Sequence, residues 1–304
     1  LVGLITQRSQ VQILPPQPNS RKTRTIQNWH TPTTRSAFCF VGRPSAGLGA
    51  LGATGQASGH ALHIALVTNA MNTTPAAPDL VEDELEVLAA LVPLAGRHII
   101  ELGCGAAALS RKLLARFADS QVTGLEVDER QHAKNLAAPQ PGLHFMAAGA
   151  QSIPLPDASF DLALMLKSLH HVPMPLMAQA LAEVARVLRP QGLLYVSEPV
   201  FDGPLNEVIR LFNDEQVVRA AAQAALDEAL TTGTWTQVAD RRFEMPVHFD
   251  SFDTFERRMM RPTFADHAID DAKLARVRTA FEPHLRSDGA HFRRPMHVRL
   301  LRRG

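Results

Sequence analysis

From residue 98 to residue 197 the chain sets five short apolar runs, His98–Leu102, Val122–Val127, Leu143–Ala147, Asp161–Leu166 and Leu193–Ser197, among three helical stretches, Ala107–Phe117, Glu129–Ala137 and Leu176–Leu188. Short strands that alternate with amphipathic helices bury their apolar surface as a parallel sheet covered on both faces. A further helix is expected from Asp79, as its cap, to about Val92, with Leu80, Val81, Leu85, Leu88, Leu91 and Val92 on the apolar side. Downstream, helical patterns run over Leu205–Phe212, Glu215–Leu230, Phe252–Met260 and Asp271–Leu285. Phe243–Phe249 and Pro295–Leu301 alternate as a terminal antiparallel strand pair would. In such sheets ligands bind at the carboxyl ends of the strands, near the point where strand order reverses.

The 304 residues suffice for one large α/β domain or two small ones. A net charge of +1 argues against a general nucleic-acid binder, and no run of eighteen apolar residues predicts a membrane span. Cys39 and Cys104 build neither a disulfide framework nor a cysteine-rich zinc site, which fits a reducing, cytoplasmic setting. No His/Cys cluster has zinc-ligand spacing, so no metal is expected.

Charge is divided unevenly. Residues 1–70 carry six basic and no acidic side chains, while residues 71–304 carry all 30 acidic ones. The first stretch also has Pro pairs and no sustained period, the pattern of a disordered extension. Three readings compete for it: an organelle transit peptide, a thin nucleic-acid-binding tail, or non-native upstream translation. The third is favoured, because Gln10–Pro16 reads like a translated transfer-RNA segment and Met71 looks like an ordinary start. A boundary near residue 70 therefore separates 1–70 from a domain over 71–304.

The first strand runs into Ile99-Ile100-Glu101-Leu102-Gly103-Cys104-Gly105. A glycine-rich turn between strand and helix lets a ligand approach the backbone. Alone it also satisfies a loose dinucleotide fingerprint. Glu101 discriminates, because an acid there repels a pyrophosphate but attracts an ammonium group. Glu126, at the end of the second strand, lies 23 residues after Gly103, close to the spacing of a ribose-binding acid. Asp128 suits the cap of the next helix.

Four segments in order, IIELGCGAAALS, GLEVD, IPLPDASFDLAL and RVLRPQGLLYVSEP, resemble the class I S-adenosylmethionine-dependent methyltransferases. The likeness is to the small-molecule group that includes quinone-ring enzymes, and it covers about residues 80–199. It implies a Rossmann-like, seven-stranded, mostly parallel sheet with helices on both faces and an antiparallel last strand pair. Helical insertions at about 201–235 and 251–290 then fall on the substrate side. Carried onto this sequence, the resemblance gives Glu101 the methionine ammonium and lays Gly103, Cys104 and Gly105 along the methionine tail and ribose. Glu126 takes the ribose hydroxyls and Val127 lies against adenine. Ala150 and Gln151 sit near the adenine edge, and Lys167 and Ser168 face the sulfonium end. Gly149 departs from the pattern, since many relatives carry Asp there to accept from the adenine amino group; Gln151 is the substitute acceptor. Ala107 stands where a glycine is often found.

Methyl transfer is an in-line displacement, and a neutral nucleophile must also lose a proton. His170, His171 and Glu198, just past the fourth and fifth strands, are the candidate bases; the competing reading makes the histidines caps or surface groups. Nine of the fourteen phenylalanines lie between Phe201 and Phe292. They either line a pocket for an aromatic or apolar small-molecule acceptor or form ordinary core. Arg257, Arg258 and Arg261 either clamp an anion or make a solvated helix face. Two other functions stay open beside methyl transfer: an NAD-dependent oxidoreductase and a non-catalytic partner subunit of the same fold.

Overall fold

The computed structural model describes residues 79–262 and 265–304; the expectations for residues 1–70 and for a start at Met71 lie outside them. Strands β1 (His98–Leu102), β2 (Gln121–Glu126), β3 (Leu143–Ala147), β4 (Phe160–Leu166) and β5 (Leu188–Pro199) run parallel. β6 (Trp235–Phe249) and β8 (Gly289–Arg303) complete the sheet antiparallel, in the order β3-β2-β1-β4-β5-β8-β6. A two-residue strand, β7 (Leu285–Arg286), pairs beside β8 and makes eight strands where seven were expected. Strand order reverses between β1 and β4, so the crevice at their carboxyl ends is the place for a ligand.

Alternation along the strands feeds two cores. Ile100, Leu102, Ala163, Met165, Leu194 and Val196 pack under helices α4 (Met177–Val187) and α6 (Gln216–Thr231). Ile99, Leu162, Leu164, Tyr195, Met296 and Val298 face the other way, toward α1 (Glu84–Leu91) and α2 (Ala108–Arg116). The period-two switch of side chains puts Glu101 on that second face, among polar groups of α1 and α2. α3 (Glu129–Leu136) follows β2 and is capped by Asp128, whose carboxylate accepts from the Arg130 N–H at 3.0 Å.

Asp79 does not cap α1. Its carbonyl accepts from the Glu244 N–H and Leu80 bridges to Glu244, so this stretch is pinned to β6 and Asp83 caps the helix instead. β6 and β8 are each fifteen residues, far longer than the two runs that alternate in the sequence. Their far ends carry a third core with α5 (Pro204–Ile209), α7 (Phe252–Phe255) and α8 (Asp271–Phe281). α7 continues as a π-helical turn, Glu256–Met260.

Candidate active site

The turn after β1 has backbone angles that only glycine adopts without strain. Gly103 has φ +68° and Gly105 has φ +52°. A Cβ on Gly103 would lie 2.9 Å from the Ser168 Cβ, whereas a Cβ on Gly105 would meet nothing within 4 Å. One glycine therefore permits close packing onto the end of β4, and the other keeps a face of the turn open. Ala107 enters α2 at φ +54°, the position where a glycine would relieve strain. Cys104 is buried beneath the turn beside Gly124, and burial pushes its thiol up, which marks it as packing and not as a nucleophile.

Two buried carboxylates flank this turn. Glu101 accepts from the Ser110 hydroxyl of α2. Burial pushes its carboxyl up to about 7, against the downward pull of Ser110 and Lys167 and with a further push from Glu84 and Glu126. Glu126 holds the turn itself, with Oε2 accepting from the Gly105 N–H at 2.8 Å and Oε1 from the Asp128 N–H at 2.8 Å. The Gly105 carbonyl in turn accepts from the Asn135 side chain of α3 at 2.7 Å.

Val127 stands exposed just past β2, and Ala150 is buried after β3. Gln151 folds its amide over Gly149, so closely that a Cβ there would come within 2.5 Å of Oε1. The missing side chain at 149 is thus what makes room for the Gln151 amide. Lys167 has φ +56° and directs its ammonium group to the buried Glu84 of α1, at 2.9 Å. The next residue, Ser168, is buried with an Oγ that has no partner among the described residues.

The second cluster joins the turn after β4 to the last residues of β5, where Glu198 is still in the strand, paired opposite His297, and not past it as the sequence suggested. His170 is buried, and its Nδ1 is hydrogen-bonded to Glu198 Oε2; Glu198 Oε1 accepts from the Leu169 N–H at 2.9 Å. A carboxylate on Nδ1 fixes the proton there and leaves Nε2 as the proton-accepting nitrogen. Nε2 lies 3.9 Å from Glu215 Oε2, just before α6. His171 stacks on His170 with ring centroids 4.1 Å apart. It keeps an edge open to solvent, yet the surrounding protein and the neighbouring ring hold its imidazole down at about 4. Near neutrality His171 is a weak acceptor, while His170 is oriented by Glu198 on Nδ1 and turns Nε2 toward Glu215.

His170, His171 and Glu215 bring one ligand atom each within 4.8 Å of one another. Both Glu215 oxygens are already engaged, Oε2 by Arg219 at 2.6 Å and Oε1 by Asn213 at 2.9 Å. A cation would have to displace a guanidinium, so proton transfer suits this cluster better than metal binding.

Between the ends of β6 and β8 and helices α5, α7 and α8, the phenylalanines are core. Phe249, Phe252, Phe255, Phe281 and Phe292 are buried against one another, with Phe249 and Phe255 centroids 5.1 Å apart. The arginine run does not converge either: Arg258 donates to the His248 carbonyl and Arg261 pairs with Glu256. Sequence reasoning passed over Ser110, Asn135, Glu84, Glu215 and Arg219. Each is a polar residue on an otherwise ordinary helix or at its start, and no spacing rule singles them out.

Residues 100–196 match the family model of the methyltransferase domain. Among curated proteins, the chain is 39% identical over 135 residues to O-methyltransferase cnsE of Penicillium expansum, covering 41% of this chain and 47% of that relative. It is 36% identical over 117 residues to the 27-O-demethylrifamycin SV methyltransferase of Amycolatopsis mediterranei, 36% of this chain and 42% of that one. The chain thus spans about half the length of the curated relatives it matches. Among solved structures, YcgJ of Bacillus subtilis superposes with a TM-score of 0.52 at 16% identity, over 72% of this chain and 97% of YcgJ. That last likeness speaks for the fold alone.

Proposed function

We propose that this chain, whose residues 100–196 match a methyltransferase domain, is a class I S-adenosylmethionine-dependent methyltransferase that moves a methyl group to an oxygen of a small-molecule acceptor. The observation that carries this is the turn at Gly103–Gly105 held between two buried carboxylates, Glu101 and Glu126. The residues fit the methyl donor on three counts: the open face at Gly105, the unpartnered Ser168 hydroxyl, and acids on either side for an ammonium and a ribose diol. Two buried acids beside the turn are poor company for the pyrophosphate of a nicotinamide cofactor, because the one lysine near them is already paired with Glu84, which speaks against the oxidoreductase alternative.

S-adenosylmethionine, when bound, supplies a methyl group on a positively charged sulfur. This chain's residues do the rest. Glu101 holds the ammonium end, Glu126 the ribose hydroxyls, and Val127, Ala150 and Gln151 the adenine side. Lys167 is screened by Glu84 and so adds little repulsion toward a sulfonium. An acceptor hydroxyl gives its proton to His170 Nε2 as the oxygen attacks, and Glu198 on Nδ1 stabilises the imidazolium that forms. Oxygen is favoured because a neutral hydroxyl needs this base and because the relatives at hand are named O-methyltransferases.

No helix among the described residues is long and apolar enough to cross a membrane. A cytoplasmic setting is supported only by the low cysteine count.

The test is calorimetric titration with S-adenosylhomocysteine and with NAD. Binding of the first without the second is expected; the reverse overturns the reading.

A further inference from the structure

One small half-open cavity lies beside the His170 cluster, between the end of β5, α5 and β8. Its polar lining is Asp202, Asn206, Arg219 and Arg294, set among Leu205 and Ile209. Arg219 reaches it from Glu215, the carboxylate that faces His170 Nε2, so the cavity is one ion pair away from the candidate base.

Three donor groups meet there: Arg219 is satisfied by Glu215, the Val200 carbonyl and Asn206, and the other two lack acceptors. Arg219 Nη1 donates to Asn206 Oδ1 at 3.2 Å. Because a guanidinium has no acceptor, that contact fixes the amide orientation and leaves Nδ2 on the other side. Asn206 is 6% exposed, and its Nδ2 has no partner among the described residues. Arg294, half-buried on β8, makes no hydrogen bond or ion pair among the described residues. Burial and the nearby charge of Arg219 both work against its cation, and Glu215 alone counters them appreciably. The one acid of the lining, Asp202, is exposed, and its Oδ1 accepts from the Gly203 N–H at 2.7 Å. A half-buried guanidinium and a buried amide N–H without acceptors are costly unless an incoming anion satisfies them.

We propose that this cavity holds a carboxylate of the acceptor through Arg294, Arg219 and Asn206 Nδ2. The chemical class is then an organic acid carrying a separate hydroxyl for methylation. Planar, forked donors suit a carboxylate, and the apolar rim suits the carbon skeleton that carries it. This inference rests on the methyltransferase reading for its meaning, but the site can be tested apart from it.

Benzoate, benzamide and inorganic phosphate are titrated into the full chain by calorimetry, with S-adenosylhomocysteine in a parallel titration. Benzoate is expected to bind at least about tenfold more tightly than benzamide, and Arg294→Gln is expected to remove that preference. Arg294→Lys keeps charge but not the fork, and an intermediate affinity is expected. Arg294 has no partner to lose, and near-ultraviolet circular dichroism checks that both variants fold. Equal binding of benzoate and benzamide, no benzoate binding, or benzoate binding untouched by Arg294→Gln overturns the proposal. Phosphate binding tighter than benzoate overturns the carboxylate assignment. Benzoate selectivity without S-adenosylhomocysteine binding upholds the anion site and sinks the methyltransferase reading; the converse does the opposite.

Discussion

The Gly105 N–H donates to Glu126 Oε2 at 2.8 Å, so the acid that ends β2 props the turn that follows β1. The two strands are neighbours in register, Leu102 opposite Leu125, which puts the carboxylate directly beside the turn. One side chain thereby shapes the loop and keeps lone pairs for the ribose hydroxyls of the proposed donor.

Glu126→Gln separates those two duties. The amide oxygen can still accept from Gly105, but the amide N–H₂ then faces the Asp128 N–H, and the charged acceptor for a diol is gone. S-adenosylhomocysteine affinity should fall by roughly tenfold, and the melting temperature should drop modestly through the lost Asp128 contact. Calorimetry and thermal melts read the two effects separately, and an unchanged affinity would remove Glu126 from the site.

Glu101 predicts a pH dependence. Its carboxyl titrates at about 7, because burial disfavours the charge. An ammonium ligand binds the ionised form. Affinity for S-adenosylhomocysteine should therefore be flat above about 7 and fall by up to about tenfold per pH unit below it, with a proton released on binding. Glu101→Gln should weaken binding and flatten the profile. A wild-type affinity that rises on acidification has the wrong sign for this account.

His170 and Glu198 are the proposed proton-accepting pair, joined through Nδ1. Glu198→Gln keeps an acceptor for the Leu169 N–H but turns an amide N–H₂ toward Nδ1, which drives the imidazole proton to Nε2, the wrong nitrogen for a base. Turnover with a phenolic acceptor panel should drop about 10²–10⁴-fold in His170→Ala and substantially in Glu198→Gln, with S-adenosylhomocysteine binding unaltered. Turnover preserved in both variants would leave in-line alignment without a base.

Arg186 explains why two separate sequence motifs occur together. Its guanidinium donates to the Ile153 carbonyl at 2.7 Å, the Leu155 carbonyl at 2.9 Å, Asp157 at 2.6 Å and Glu183 at 2.8 Å. The Ile153–Asp157 loop is thus tied to the end of α4. The Arg186 hydrogen bond holds the Glu183 carboxyl down at about 2. A depressed carboxyl adds stability above its unfolded value and loses it as pH falls toward 2. Arg186→Met should cost about 2 kcal/mol at pH 7 in urea unfolding, by loss of two buried-side carbonyl contacts and the ion pair. The gap between variant and wild type should narrow as the pH is lowered below the usual glutamate range, and a constant gap would mean the loss is packing alone.

The parallel half of the fold was legible because β1, β2, β3 and β4 are buried or half-buried runs bounded by turn residues, where burial and sequence pattern agree. The antiparallel half was legible only at its apolar ends. In β6, residues 236–242 are mostly exposed and polar, and a bulge between Gln237 and Ala239 breaks the alternation, so periodicity fades while the ladder to β8 continues. The turn and its two acids were readable from spacing because each sits at a strand end. Ser110, Arg219, Asn206 and Arg294 were not, since each is a single polar residue with no spacing rule behind it; Arg219 and Asn206 meet from consecutive helices, thirteen residues apart.

The two glycines of the turn should respond differently to the same methyl group. Gly103→Ala meets both a positive φ and the Ser168 Cβ at 2.9 Å, which is carbon against carbon with little room to yield. It should cost about 2–3 kcal/mol of stability, from left-handed strain together with overpacking. Gly105→Ala meets open space at φ +52°, so its stability cost should stay near 1 kcal/mol. The methyl would instead occupy the face a ligand must approach, and S-adenosylhomocysteine affinity should fall by well over tenfold. Ordering the two variants by melting temperature and then by affinity should give opposite ranks. If Gly105→Ala binds as the wild type does, the donor does not lie on this turn.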